Sequence, residues 1–151
     1  MDSHELERLS SLIHHEDLEY IKDQINKMKD SVPLHLIAGN YNWDNGVEIP
    51  TAIINNDHCD LGTALMIFFD ADGYRMLDLD IDDVAESTSA WKKFLDSLYK
   101  GIVNDEFNYK NISYAPPLSK VQVFKLRKKN PDIPDMFLQG NSGMNLEIPT
   151  L

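Results

Sequence analysis

The stretch Asp60-Leu-Gly-Thr-Ala-Leu-Met-Ile-Phe-Phe-Asp70 decides the fold. Asp60 is a good helix N-cap, because its short carboxylate can accept the unpaired N–H groups of a first turn. Leu61, Leu65, Phe68 and Phe69 then fall on one stripe, and Ala64, Met66 and Ile67 widen it over most of the surface. A helix apolar on most sides belongs at the centre of a domain with other elements around it. Gly62 within it marks either the close approach of a neighbouring helix or fraying at its start. Asp72-Gly73 supplies the stop.

Working outward, the flanks read as further helices. Toward the N-terminus, Val47–Ile54 is a short helix that tolerates Pro50 in its first turn. Tyr41–Gly46 is a loop built on the turn residues Asp44-Asn45-Gly46. Pro33 opens a short helix through Ala38 that Gly39-Asn40 ends. Leu18, Ile21, Ile25 and Met28 share a helical face, with Glu19, Asp23, Gln24 and Lys27 toward water. Ser3 can cap an earlier helix bearing Leu6, Leu9, Leu12 and Ile13.

Toward the C-terminus, Ser87, Thr88 or Ser89 caps a helix carrying Trp91, Phe94, Leu95, Leu98 and Ile102. Between the two lies Tyr74–Asp83, where Leu77, Leu79 and Ile81 alternate with Asp78, Asp80 and Asp82. That is strand periodicity in poor strand residues, so an extended edge segment or loop is expected. Ser119–Lys129 reads as a basic helix with Val121, Phe124 and Leu126 inward, or as a strand over 121–126. The tail Asn145–Leu151 lies extended or pairs with that strand. The expected fold is mainly α: one compact domain over residues 1–151, a bundle of five or six helices, ending in a small β-hairpin or an extended tail.

Charge is unevenly spread. Residues 30–90 hold twelve acids and one base, Arg75, whereas the regions on either side nearly balance; the formal charge of −11 therefore resides in the middle. Such a chain suits a basic protein partner and not nucleic acid. The single cysteine, Cys59, rules out an internal disulfide and a cysteine-only zinc site. The N-terminus is acidic and polar, unlike a signal peptide, and the longest apolar run, Ala64–Phe69, is far too short to span a bilayer. A soluble, cytoplasmic protein is expected.

The acidic run Asp70, Asp72, Asp78, Asp80, Asp82 and Asp83 is the obvious place to look for a metal. A calcium loop with Gly73 as its glycine would put Phe68 at the first ligand position and Leu79 at the twelfth, and neither can bind the ion. The run is therefore a solvated face or a protein-binding face. No histidine stands in a metal-binding spacing, and Cys59 reads as a small buried residue. Trp43 is either an interface anchor or the pin of a polar loop. Lys120, Lys125, Arg127, Lys128 and Lys129 balance the acidic middle internally. No cofactor, metal or catalytic residue is expected.

The strings Tyr41-Asn-Trp-Asp-Asn-Gly46, Ile49-Pro-Thr-Ala-Ile-Ile54, Cys59-Asp-Leu-Gly-Thr-Ala-Leu65 and Phe68 through Asp72-Gly73-Tyr74 resemble an uncharacterised, mainly bacterial family, domain of unknown function 4274, over residues 34–76. The resemblance implies no reaction and no catalytic residue. It does imply a setting, since such small domains occur among genes neighbouring polymorphic toxins, where acidic proteins act as immunity partners. The expected function is an acidic protein-binding domain, an immunity protein that neutralises a basic toxin such as a nuclease. Asp70, Asp72, Asp78, Asp80, Asp82 and Asp83 would form its face, with Trp43 and Tyr74 as aromatic anchors. The alternatives are a metal-dependent enzyme with an acidic pocket and a regulatory or scaffold domain.

Overall fold

A computed structural model describes residues 1–78 and 89–151. These carry nine α-helices: α1 (Ser3–Ile13), α2 (Leu18–Asn26), α3 (Ser31–Gly39), α4 (Glu48–Ile54), α5 (Leu61–Asp70), α6 (Tyr74–Leu77), α7 (Ser89–Val103), α8 (Lys120–Lys129) and α9 (Met136–Gln139). A single 3-10 turn covers Trp43–Asn45. The fold is mainly α, with more helices than the five or six expected. The three shortest, α4, α6 and α9, begin without a side-chain cap, whereas four of the longer ones start on an aspartate. Asp2, Asp17, Asp30 and Asp60 each accept a backbone N–H of the helix that follows.

The central helix is α5, which runs from Leu61 to Asp70 with Asp60 as its N-cap. Every residue from Leu61 to Phe68 is buried. It packs between α3 and α7, while α2 packs on α4. Phe68 meets Phe137 of α9 edge-to-face at 5.0 Å, and Tyr99 of α7 stacks on Phe137 at 4.9 Å. At the far end of α5 the Trp91 indole N–H donates to the Ala71 carbonyl at 2.7 Å. That contact satisfies one of the carbonyls a helix C-terminus leaves unpaired.

Gly62 admits a close neighbour, but the neighbour is not a helix. The extended segment 109–112 lies across the start of α5, and a Cβ at Gly62 would overlap the Ile112 carbonyl oxygen. The Leu61 N–H donates to the Tyr109 carbonyl at 2.8 Å. The Asp60 carboxylate accepts from Gly62 at 2.8 Å, Asn111 at 2.7 Å and Ile112 at 3.2 Å. Asp60 is therefore both the cap of α5 and the clamp that holds the segment against it; it is 0% exposed.

Two expectations change. Tyr74–Leu77 is a helical turn and not extended chain; the rest of that acidic run, residues 79–83, lies outside the described residues. The basic segment is a helix, fixed by a capping box between Ser119 and Gln122. Only Leu126 of its three proposed inward residues is buried, whereas Val121 and Phe124 are 60% and 67% exposed. Residues 121 and 126 are five apart, about 140° round a helix, so they cannot share a face. Val123, three before Leu126, packs on the core instead.

The tail is extended, and no named strand occurs among the described residues. Isolated bridges join Ile112 to Met144 and Tyr114 to Asn141. Beyond Met144 the chain crosses to the α1–α3 edge, where Leu151 bonds to Asn40 and Ser10. Glu-Ile-Pro-Thr thus occurs twice with different structures. At 48–51 it opens helix α4 with Ile49 and Pro50 buried; at 147–150 it lies on the surface with Ile148 38% exposed.

Candidate functional site

Of the acidic run, Asp70, Asp72 and Asp78 fall within the described residues, and Asp80, Asp82 and Asp83 fall outside them. Asp70 ends α5. The residue is exposed as a whole, yet its surroundings remove enough water from the carboxyl to push it up to about 6. Asp72 takes the left-handed conformation at φ 67° and pairs with Arg75 at 2.9 Å. This pairing occupies the one base of the middle region. Asp78 accepts from Lys129 of α8 at 3.0 Å, which ties the basic helix to the acidic run. Arg127 pairs instead with Asp135, at 2.9 Å.

The two aromatic candidates are half-buried. Tyr74 packs against the core. Trp43 sits on the 3-10 turn, 5.2 Å from Tyr41 edge-on and 6.1 Å from Phe94 of α7. The Tyr41 hydroxyl donates to the Gly46 carbonyl at 2.6 Å, and the Asn42 side chain accepts from the Asp44 N–H at 3.0 Å. The loop is thus closed by its own polar groups and pinned by the tryptophan. The structure does not gather these aromatics and the acidic run into one described contact.

Two reactive side chains elsewhere, His35 and Cys59, are buried in structural roles. His35 is buried, with Nδ1 2.8 Å from the Thr63 hydroxyl. Burial lowers its pKa, partly opposed by the charge of Asp60, so the ring is neutral at pH 7. Burial, helped by Asp60, pushes the Cys59 thiol far up. A thiol that keeps its proton is a poor nucleophile. His58 stacks on Tyr109 at 5.3 Å. Among the described residues no three histidine, cysteine, aspartate or glutamate side chains come together in a way that could hold a metal ion.

A cleft of about 480 Å³ lies beside the Trp43 loop, with Ile21, Ile37 and Ile49 among its apolar walls and His14, His15 and Asn40 among its polar ones. The backbone fixes both histidine tautomers. His14 Nδ1 lies 2.8 Å from the Ser10 carbonyl and must donate, whereas His15 Nδ1 accepts from the Asp17 N–H at 3.0 Å. Asn40, read from sequence only as a helix stop, is the side chain that reasoning missed. It links this wall to the tail, and no local pattern in the sequence signals that link.

The model of the family described as "Domain of unknown function (DUF4274)" matches residues 29–103. Residues 29–103 form a DUF4274 domain. The match runs from α3 through α7 and includes the Trp43 loop, α5 and the acidic run. No curated protein and no solved structure matches the chain. The DUF4274 domain holds the clamp residue Asp60, but the segment it clamps, 109–112, lies beyond the matched residues. No helix among the described residues is long and apolar enough to cross a membrane.

Proposed function

We propose that this chain is an acidic protein-binding domain, and that it acts as an immunity protein for a basic toxin domain. The observation that carries this reading is the charge of residues 30–90, twelve acids against one base. N-capping uses the side chains of Asp30 and Asp60, while Asp70 at the end of the central helix and Asp72 and Asp78 beyond it put no side chain on a helix N-terminus. A field of this sign speeds encounter with a basic surface, and its carboxylates can stand where a nuclease would hold substrate phosphates. Tyr74 and Trp43 would supply apolar contact beside the charges.

The test is titration of the purified chain against the protein encoded by the adjacent gene, with activity of that protein as a second readout. A complex that weakens with salt, and weakens further when Asp70, Asp72 and Asp78 are changed together to asparagine, is expected. Absence of a complex, or an affinity indifferent to both salt and these aspartates, overturns the proposal.

A further inference from the structure

The first two helices lean on different neighbours: α1 packs on α3, and α2 packs on α4. Between them opens a cleft of about 380 Å³, a size ordinary for a small-molecule site. Leu9, Leu12 and Met28 are its apolar lining. Arg8 stands one turn before Leu12 on α1, and Tyr20 and Gln24 are one turn apart on α2, so each helix turns a mixed face to the cleft. Charge is the anomaly. The chain carries 25 acids against 14 bases, yet among the described residues no acid lines this cleft, whose charged residues are Arg8 and Lys27. Lys27 is already bonded to Asp23 at 2.9 Å. The Arg8 side chain has no ion pair and no hydrogen bond among the described residues, which leaves all of its N–H donors open to a ligand. His15 adds a donor: its Nδ1 accepts from the Asp17 N–H at 3.0 Å, so the neutral ring carries its proton on Nε2. The same ring lies on Tyr20 at 4.5 Å, and the two give the cleft an aromatic wall.

We propose that this cleft binds a small organic carboxylate with a flat apolar body. The carboxylate sits on Arg8, and the body lies over Leu9, Leu12 and Met28 beside the Tyr20 ring. A guanidinium offers paired N–H groups that match the two oxygens of a carboxylate. An inorganic anion gains only from the cation and loses its water to an apolar lining for no return; a neutral ring gains only from the lining. An organic anion gains from both. Lys27 contributes little, because Asp23 already answers its charge. Every residue of the cleft precedes residue 29, where the family match begins, so the site belongs to the N-terminal helices and not to the DUF4274 domain. None of the acidic residues of the toxin reading takes part, so the two proposals stand or fall separately.

Three probes test it by amide chemical-shift titration of the full chain: 2-naphthoate, its neutral amide, and inorganic phosphate. The naphthoate is expected to shift the amides of residues 8–15 and 20–28 saturably, with a Kd on the order of 1 mM, ordinary for a ligand of its size. The neutral amide should bind about fivefold more weakly, and phosphate should not saturate at these positions. Arg8→Gln, a change at an exposed side chain, should weaken naphthoate about fivefold and leave the neutral amide as it was. Tyr20→Ala removes the aromatic wall and should weaken both ring probes alike. Absence of saturable naphthoate shifts at these residues overturns the site. Equal affinity for naphthoate and its neutral amide, or indifference to Arg8→Gln, overturns the role of the guanidinium and with it the carboxylate assignment. Phosphate binding as tight as naphthoate reduces the cleft to a patch of surface charge and overturns it too.

Discussion

Asp60 and Asn40 perform the same task in opposite settings. Each is a single side chain at a helix end that holds a later extended segment by its backbone. Asp60 is fully buried and receives three N–H groups; Asn40 is half-buried and makes two bonds to the tail. Removing the first strands buried donors with no water to replace the lost acceptor, whereas removing the second lets water in. Burial, and not the number of bonds, separates a clamp that is part of the fold from one that can let go.

The most severe way to break that contrast is Asp60→Ala, which should lower stability by about 3–5 kcal/mol in chemical denaturation, since each buried N–H left without an acceptor costs about 1–3 kcal/mol. A loss below about 1 kcal/mol would make the two clamps equivalent. Next is Gly62→Ala, which drives a methyl into the Ile112 carbonyl; about 1–3 kcal/mol of overpacking is expected in the same measurement. Asn40→Ala should cost at most about 1 kcal/mol. Its clearer mark is faster proteolytic trimming within 145–151 at an unchanged main melting transition.

The smallest effect sharpens the comparison through a third carboxylate. Asp70 is exposed as a residue, unlike Asp60, and accepts no hydrogen bond among the described residues, yet loss of water around its carboxyl pushes it up to about 6, above the ordinary 3.8. A group raised on folding contributes stability that is complete below the unfolded value and is lost as pH climbs through the folded one. Between about pH 4 and 6 the native chain should lose that contribution, and Asp70→Asn should not. The melting difference between variant and native chain is expected to grow across that window to roughly 1–2 °C in favour of the variant, then stay level.

The same contrast explains what could be read from sequence. The Asp60–Asp70 helix was legible from end to end because its cap, stripe and stop are local. The partner of Gly62 was not, because it is backbone about fifty residues away and leaves no mark in the pattern around position 62. The repeated Glu-Ile-Pro-Thr makes the point within one chain. Residues 48–51 are followed by Ala52-Ile53-Ile54, which carry the helix into the core; residues 147–150 stay extended on the surface, where Asn40 holds the Pro149 carbonyl. Val121 and Phe124 were misread as inward because apolar identity was counted without the helical angle. The acidic surplus was visible as charge, but composition could not show that Asp72 and Asp78 are ion-paired within the chain.

The Asp60 clamp also sets an order of events during synthesis. Its two halves are 51 residues apart, and the later half lies past the end of the DUF4274 match. As the chain leaves the ribosome, the central helix emerges with its cap only partly engaged and with the flat face at Gly62 bare. At roughly 5–20 residues per second the missing strip arrives a few seconds later. The boundary drawn by family resemblance and the boundary of a self-sufficient folding unit therefore differ, and the second cannot come before residue 112.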